Sequence, residues 1–473
     1  MDQAPGYQGV WYGNQPTDDA LRWKYSGGLA TYPQQHEPIA IYRGEVDRTY
    51  FVYGGAGDRP AGMAYRPQGR EADGTTACCI GYYDHKRGVL SRPVVLWVRD
   101  VIDAHENPVL CIDRAGHLLV FCPSHGAKRA SRLYRSVEPH DLSSFEVIAS
   151  YEAERSFSYP QPWWIDGVGV VLLHTRYDGS KRRLAISTSP DGMDWSDWDR
   201  PEWLSRLGEG SYQVSWRTDH GAGGKLATAF DLHPATEGDM PLNRRTNLYY
   251  LESADGGASW QTAEGTAVEL PVVDEASACR VLDGAAAGVL VYLKNVSFDG
   301  AGRPVVVYLT SGSAWPKEDS GPHRWRIARY DGADVGWSHH AICESDHNYD
   351  HGELLILSDD DWRLIIPSDP GPQRRATGGG MCLWRSADRG TTWQRDHRVV
   401  EPEGVNHTYA RRVFEGSDDF AFLWASANAH DPGPVDLWFA DREGKTRKMP
   451  RTVGGDFTEP ETVVGHSKEQ SDA

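Results

Sequence analysis

The chain has 473 residues and a formal net charge of −18. That balance excludes nucleic acid as a partner, because phosphate binding needs a basic surface, and no apolar run is long enough to span a bilayer. Fifty Gly, eighteen Trp and twenty-two Tyr favour short strands, tight turns and aromatic packing over helices.

No signal peptide precedes MDQAPGYQGVW, so as written the chain is expected to be cytoplasmic. A trimmed export signal would leave the same start. From there the predicted elements repeat one pattern: a polar opener, a short apolar strand, a turn and a second apolar strand. His36 opens PIAIY, turn RGEVDR and TYFVYGG. His105 opens PVLCI, turn DRAG and HLLVF. Tyr159 opens the pair WWI and VVLLH around DGVG, and Tyr212 the pair VSW and LATAF around HGAGGK. Cys279 precedes RVL, DGAAAG and VLVYL; His347 precedes ELLIL, SDDD and WRLII; His407 precedes ARRVF, EGSDD and FAFLW.

The openers recur every 53 to 69 residues, somewhat longer than the ~50 residues of a kelch-type repeat. A hairpin returns to its origin, so its opener marks the same end of every repeat. The expectation is an all-β, single-domain, seven-bladed β-propeller over 1–464 with a disordered tail over 465–473. The N-terminal GVWYG strand is expected to complete the last blade near DLWFA. A second repeat supports this. The segments Ser253 to Trp260 and Ser386 to Trp393 fit S-x-D-x-G-x-x-W, the Asp box, and Ser189 to Trp195 is a shortened copy. Its Asp accepts backbone N–H groups and its Gly takes the turn, so Asp255 and Asp388 read as structural. Seven Cys form no disulfide framework.

In a ring, neighbouring mouths meet. His105 opens and His125 closes the second hairpin; Tyr159 and Arg176 bracket the third; Tyr212 opens the fourth. Two His, two Tyr and an Arg fit elimination at a uronic acid. Arg neutralises the carboxylate through a two-pronged contact, His or Tyr removes the C5 proton, and a Tyr hydroxyl protonates the departing oxygen. Glycoside hydrolysis normally needs two carboxylates, which the mouths do not offer. An anionic polysaccharide or oligosaccharide on so acidic a protein needs a locally basic site. The run Lys128, Arg129, Arg132 and Arg135 is one candidate, against the alternative of a solvated outer loop. Tyr212, Arg217, Lys128 and Arg129 are taken as substrate-binding. His233, Cys279, His347 and His407 have tetrahedral metal-ligand chemistry, zinc first and calcium second, and four protein ligands would make the ion a structural brace. They read equally well as polar channel residues. No organic cofactor is expected, and the chain is expected to be a monomer.

At these residues the chain resembles the propeller polysaccharide lyases that cleave rhamnose–uronate linkages, the ulvan lyase and rhamnose–glucuronate lyase type with BNR or Asp-box repeats. The resemblance rests on GVWYGNQP with KYSGGLATYPQQHEPIAIY, DAHENPVLCIDRAGHLLVF with PSHG, SYPQP with HTRY, and DHNYDHGELLI through SDPGPQRRATGGGMCLWRSADRGTTW. It implies a seven-bladed fold and syn-type elimination, with His105 and Tyr159 as the base and acid pair. It also implies His125 and Tyr212 lining the site, Arg176 as carboxylate neutraliser, and a structural metal on the Cys/His group. Some similar propellers are α-L-rhamnosidases that work from a different face, for which His36 is the residue to watch. The rival readings are that hydrolase and a non-catalytic glycan-binding propeller.

Overall fold

The computed structural model describes residues 1–14, 24–26, 28–29, 36–57, 74–218, 224–234, 244–314, 321–428 and 433–463. The tail expected over 465–473 and part of the HGAGGK turn lie outside these. Among the described residues, helix is limited to three single 3-10 turns, Ala104–Glu106, Gly126–Lys128 and Ala153–Arg155. None is long and apolar enough to cross a membrane.

Five separate four-stranded antiparallel sheets follow one another along the chain, over 109–151, 158–205, 213–282, 290–345 and 353–398. Each is a simple meander, strand beside the next strand. A thirteen-stranded sheet joins the two ends of the chain. Its early part contains Ala40–Arg43, Arg48–Ala56, Thr76–Asp84 and Val94–Arg99. Its late part contains Asn406–Arg412, Phe422–Ala427, Val435–Ala440 and Thr446–Lys448. The short N-terminal strand Gln8–Gly9 links them, pairing with Asp436 and Val435 on one side and with Gly55 on the other. The expected N-terminal strand is therefore present, and it reaches both parts.

The first strands of successive sheets touch in chain order. The last turn comes back to the first: Phe414 donates its N–H to the Ala40 carbonyl at 2.9 Å, and Tyr42 donates to the Phe414 carbonyl at 3.0 Å. The arrangement is propeller-like. Because both faces of each sheet are covered, inner strands read as unbroken apolar runs. Pro304–Ser311 is buried at every position, and so is Leu290–Phe298 after its first residue. Sheet stacking alone therefore supplies the core.

Six of the seven expected hairpins form, from His36, His105, Tyr159, Tyr212, His347 and His407. The Cys279 hairpin does not. Arg280–Leu282 is the fourth strand of the 213–282 sheet, and Leu290–Phe298 is the first strand of the next. DGAAAG thus connects two sheets. The true hairpin turn is FDGAGRP, where Asp299 accepts the Ala301 and Arg303 N–H groups at 3.0 and 2.9 Å. Both segments have the same turn chemistry, so composition alone did not separate them.

The Asp-box segments join third to fourth strands, as their positions implied. Asp388 accepts the Thr392 N–H at 2.8 Å, and Trp393 Nε1 donates to the Gly390 carbonyl at 3.0 Å. Gly390 has φ +78°, and a Cβ there would lie 2.8 Å from the Trp362 ring. Gly390→Ala combines a left-handed penalty with overpacking of a buried indole. It is expected to cost about 1–3 kcal/mol, seen as a lowered thermal midpoint.

Candidate active site

The site is built outward from Asp103, in extended backbone just before the 3-10 turn Ala104–Glu106. Its Oδ1 accepts the His105 N–H at 3.0 Å, which caps the turn. The same oxygen accepts from His105 Nδ1 at 2.6 Å, and Oδ2 accepts from His125 Nδ1 at 2.7 Å. The two imidazoles stack with centroids 3.7 Å apart, 10° from parallel. His125 arrives because Leu118–Cys122 returns antiparallel to Val109–Ile112, with Val109 opposite Phe121. His105 precedes that pair, and His125 follows it, by equal numbers of residues. With both Nδ1 atoms donating to the carboxylate, each Nε2 carries a lone pair.

One guanidinium braces this carboxylate directly, and a second does so through Glu106. Arg129 Nη2 lies 3.3 Å from Asp103 Oδ2. Arg129 also bonds Glu106 through Nε, and Arg99 bonds the other Glu106 oxygen. Arg99 then donates to the Pro123 and Ala130 carbonyls, each at 2.8 Å. Such a network holds its members in one geometry because unpaired alternatives are costly inside the protein. Burial, and then His125, push the His105 imidazole down to about 4, so it is neutral at neutral pH. Burial raises Asp103, but His125 and His105 outweigh it and hold the carboxyl well below the usual range.

Tyr159 comes next. It lies in Ser158–Ile165 with φ +53°, where the register to the next strand skips between Ser158 and Gln161. An irregularity of this kind re-aims a side chain, and left-handed backbone at a non-glycine residue is a mark of functional sites. The Tyr159 ring stands edge-on to His105 at 5.8 Å and to Tyr212 at 5.3 Å. His36 is 5.8 Å from Tyr159, and Tyr12 is edge-on to His105 at 5.7 Å. Tyr212 is anchored by its N–H to Asp231 Oδ1 at 2.8 Å, and His233 stands against its ring at 4.7 Å. Two guanidiniums face that ring: Arg245 at 4.4 Å and Arg182 at 5.5 Å. Arg245 is buried and donates to the Tyr349 hydroxyl at 3.3 Å, whereas Arg182 is only half-buried. Burial lifts the Asp231 carboxyl to about 7 even beside Arg245.

His105, His125, Tyr159 and Tyr212 therefore meet as the hairpin reading required, and His36 joins them. His36 is fully buried with neither ring nitrogen hydrogen-bonded, and burial pushes its imidazole well below the usual range. Arg176 does not join. It donates to the Arg155 carbonyl at 3.3 Å and lies over the Trp198 ring at 5.0 Å, on the other face of its strand. Arg217 is at the far end of its strand, bonded to the Trp164 carbonyl. Lys128 is exposed in the 3-10 turn after His125, and Arg129 braces Asp103 and Glu106.

The proposed metal set also needs correction. No three of His233, Cys279, His347 and His407 bring ligand atoms within 4.8 Å of one another. His233 lies against Tyr212; Cys279, on the outer edge of its sheet, is 3.3 Å from the Ser277 hydroxyl; His347 Nδ1 accepts the Tyr349 N–H; His407 Nδ1 accepts from Trp424. They occupy different layers and do not fit one structural ion. Among the described residues the metal-capable side chains that do converge are Asp103, His105 and His125. Their Nδ1 atoms are already committed to the carboxylate, and the Arg129 cation stands beside it.

Sequence and structure comparisons agree with this framework. Residues 57–350 match the profile of the BNR repeat-containing family. The chain belongs to that family. No curated protein matches it. Among solved structures, this BNR repeat-containing chain is similar to an ulvan lyase described as a new family of polysaccharide lyase. The TM-score is 0.69 at 16% identity over 93% of this chain and 96% of that one. The same figures hold for that ulvan lyase bound to a glucuronate–sulphated-rhamnose repeat. A further polysaccharide lyase aligns with TM-score 0.58 at 11% identity over 93% and 98% of the two chains. At these identities the likeness shows the fold.

Proposed function

We propose that this chain is a polysaccharide lyase that breaks a rhamnose–uronate linkage by β-elimination, on a seven-bladed propeller spanning 1–464. The blade count rests on five four-stranded sheets plus the early and late four-stranded runs of the thirteen-stranded sheet. One observation carries the chemistry. Asp103 holds two stacked imidazoles with their Nε2 lone pairs free of that carboxylate, and the Tyr159–Tyr212 pair stands beside them under Arg182.

In this reading Arg182 takes the uronate carboxylate and makes the C5 proton acidic. A neutral His105 or His125 removes that proton through Nε2. The electron pair forms the C4–C5 double bond, the C4–O bond breaks, and Tyr159 protonates the departing oxygen. Asp103 fixes the ring tautomers and stabilises the imidazolium that forms. Ulvan, or a related rhamnose–glucuronate glycan, is the substrate favoured by the similar lyases and by the anionic saccharide held in one of them.

Incubation with ulvan is expected to yield a product absorbing in the ultraviolet, its double bond conjugated to the carboxylate. Free rhamnose without that absorbance would replace this reading with the hydrolase. Oligosaccharide of unchanged size would replace it with a binding propeller. Where His105 is the base it must be unprotonated, and because it is depressed to about 4, the acid limb of kcat/KM is then expected near pH 4. An undisturbed imidazole would place it near 6.5.

A further inference from the structure

We propose a second, non-catalytic glycan-binding groove at the turn end of the inner strands, which takes a uronate carboxylate between Arg43 and Arg217. Its ligand class rests on the polysaccharide reading above. Two cavities lie there, of about 220 Å³ and about 390 Å³. Both are lined by Asp166 and Arg217, so they form one groove, within the ~300–1,000 Å³ range of ligand sites. It lies well away from the candidate active site. Trp164 in its wall is five residues along the strand from Tyr159, about 16 Å at ~3.3 Å per residue.

Beside the groove, one carboxylate already lies between two of its lining arginines. Arg43, at the end of Ala40–Arg43, and Arg217, near the end of Gln213–Thr218, come from different sheets and face one side chain, Glu415. Glu415 bonds Arg43 Nη1, and its other oxygen stays 3.7 Å from Arg217 Nη2, too long for a hydrogen bond. Glu415 is two-fifths exposed and has left-handed backbone, φ +54°. It can leave this position at small cost. A sugar carboxylate placed there would meet both guanidiniums with better geometry.

The remaining wall fits a saccharide. Trp164, only partly buried, offers an apolar surface for sugar C–H groups. Exposed Arg114 makes no hydrogen bond or ion pair among the described residues, and so is available to a second acidic sugar. Two of the three wall carboxylates are held by the fold, and the third, Glu45, is exposed 4.0 Å from Arg43 and 3.5 Å from His140. Asp113 holds the Ala115 and His117 N–H groups at 2.9 and 2.8 Å, and Asp166 accepts from Trp164 Nε1 at 3.2 Å. With a single uncommitted carboxylate the groove lacks the pair that glycoside hydrolysis normally uses, and it binds without catalysing. A second contact on the same polymer raises its effective concentration at the first.

The test is calorimetric titration of the full-length His105→Ala/His125→Ala protein, which lacks both candidate bases, with a glucuronate–rhamnose hexasaccharide. Adding Arg43→Ala is expected to remove one binding equivalent. Adding Glu415→Gln is expected to tighten that equivalent about tenfold, the worth of a freed charge-assisted hydrogen bond. A carboxyl-reduced hexasaccharide is expected to lose the same equivalent. Unchanged stoichiometry and affinity in the Arg43→Ala protein, or weaker binding in the Glu415→Gln protein, overturns the groove. If wild type gives no unsaturated product while the Arg43-dependent equivalent persists, the lyase reading fails and the groove stands.

Discussion

Asp103→Asn is expected to lower kcat/KM about 10²- to 10⁴-fold, the usual worth of a positioned general base, and to lower the thermal midpoint, because Arg129 and both imidazoles lose a buried charged partner. A carboxylate accepts from two Nδ1–H groups at once, as Asp103 does from His105 and His125. An asparagine amide offers one acceptor oxygen and one donor nitrogen. One imidazole must then turn its lone pair toward the amide and its N–H toward the substrate, where it can no longer take a proton. The stacked pair becomes one base-competent ring and one inverted ring. Steady-state rates of unsaturated product measure the loss. A decrease smaller than tenfold would show that the tautomers of these rings do not matter to the reaction. His125→Ala with His105 intact, and the reverse, then tells which ring is the base.

That residue was not legible in the sequence, and the reason is local. The hairpin grammar marks residues at strand mouths, and it placed His105, His125, Tyr159 and Tyr212 together because a return strand has no choice about where it ends. Asp103 precedes the mouth, in a segment whose course is set by a 3-10 turn. The available signal was the D-x-H of DAHEN, an acid two residues before a histidine at a turn start. Arg217 was misplaced for a different reason. It follows Tyr212 on one strand, and a strand advances ~3.3 Å per residue, so it must leave the cluster. The supposed Cys279 hairpin failed where a loop between sheets mimicked one within a sheet. The Cys/His metal set depended on that assignment. Once Cys279 moved to an outer edge, nothing held the four residues together.

Arg182→Ala is expected to lower kcat/KM about 10²- to 10³-fold, the scale for removing one group that stabilises developing charge, whereas Arg176→Ala is expected to stay within a few-fold of wild type. Strand parity decides between them. Gly169–Asp178 and Lys181–Ser189 pair with Arg176 opposite Arg183 and Tyr177 opposite Arg182. Directly opposed residues share a face and successive residues alternate. Arg176 thus shares its face with His174, and both lie against Trp198. Arg182 shares the other face with Tyr177, whose ring it covers at 5.6 Å, and reaches Tyr212. Reading HTRY as a strand ending in an Arg found the right hairpin and chose the wrong parity. Arg182→Lys keeps the charge but loses the planar fork, so it is expected to recover part of the rate with a raised KM. Arg176→Ala loses packing over Trp198 and a hydrogen bond to the Arg155 carbonyl. Its expected cost is about 1 kcal/mol of stability. The opposite outcome, an inactive but folded Arg176→Ala and an active Arg182→Ala, would return the carboxylate-binding role to Arg176.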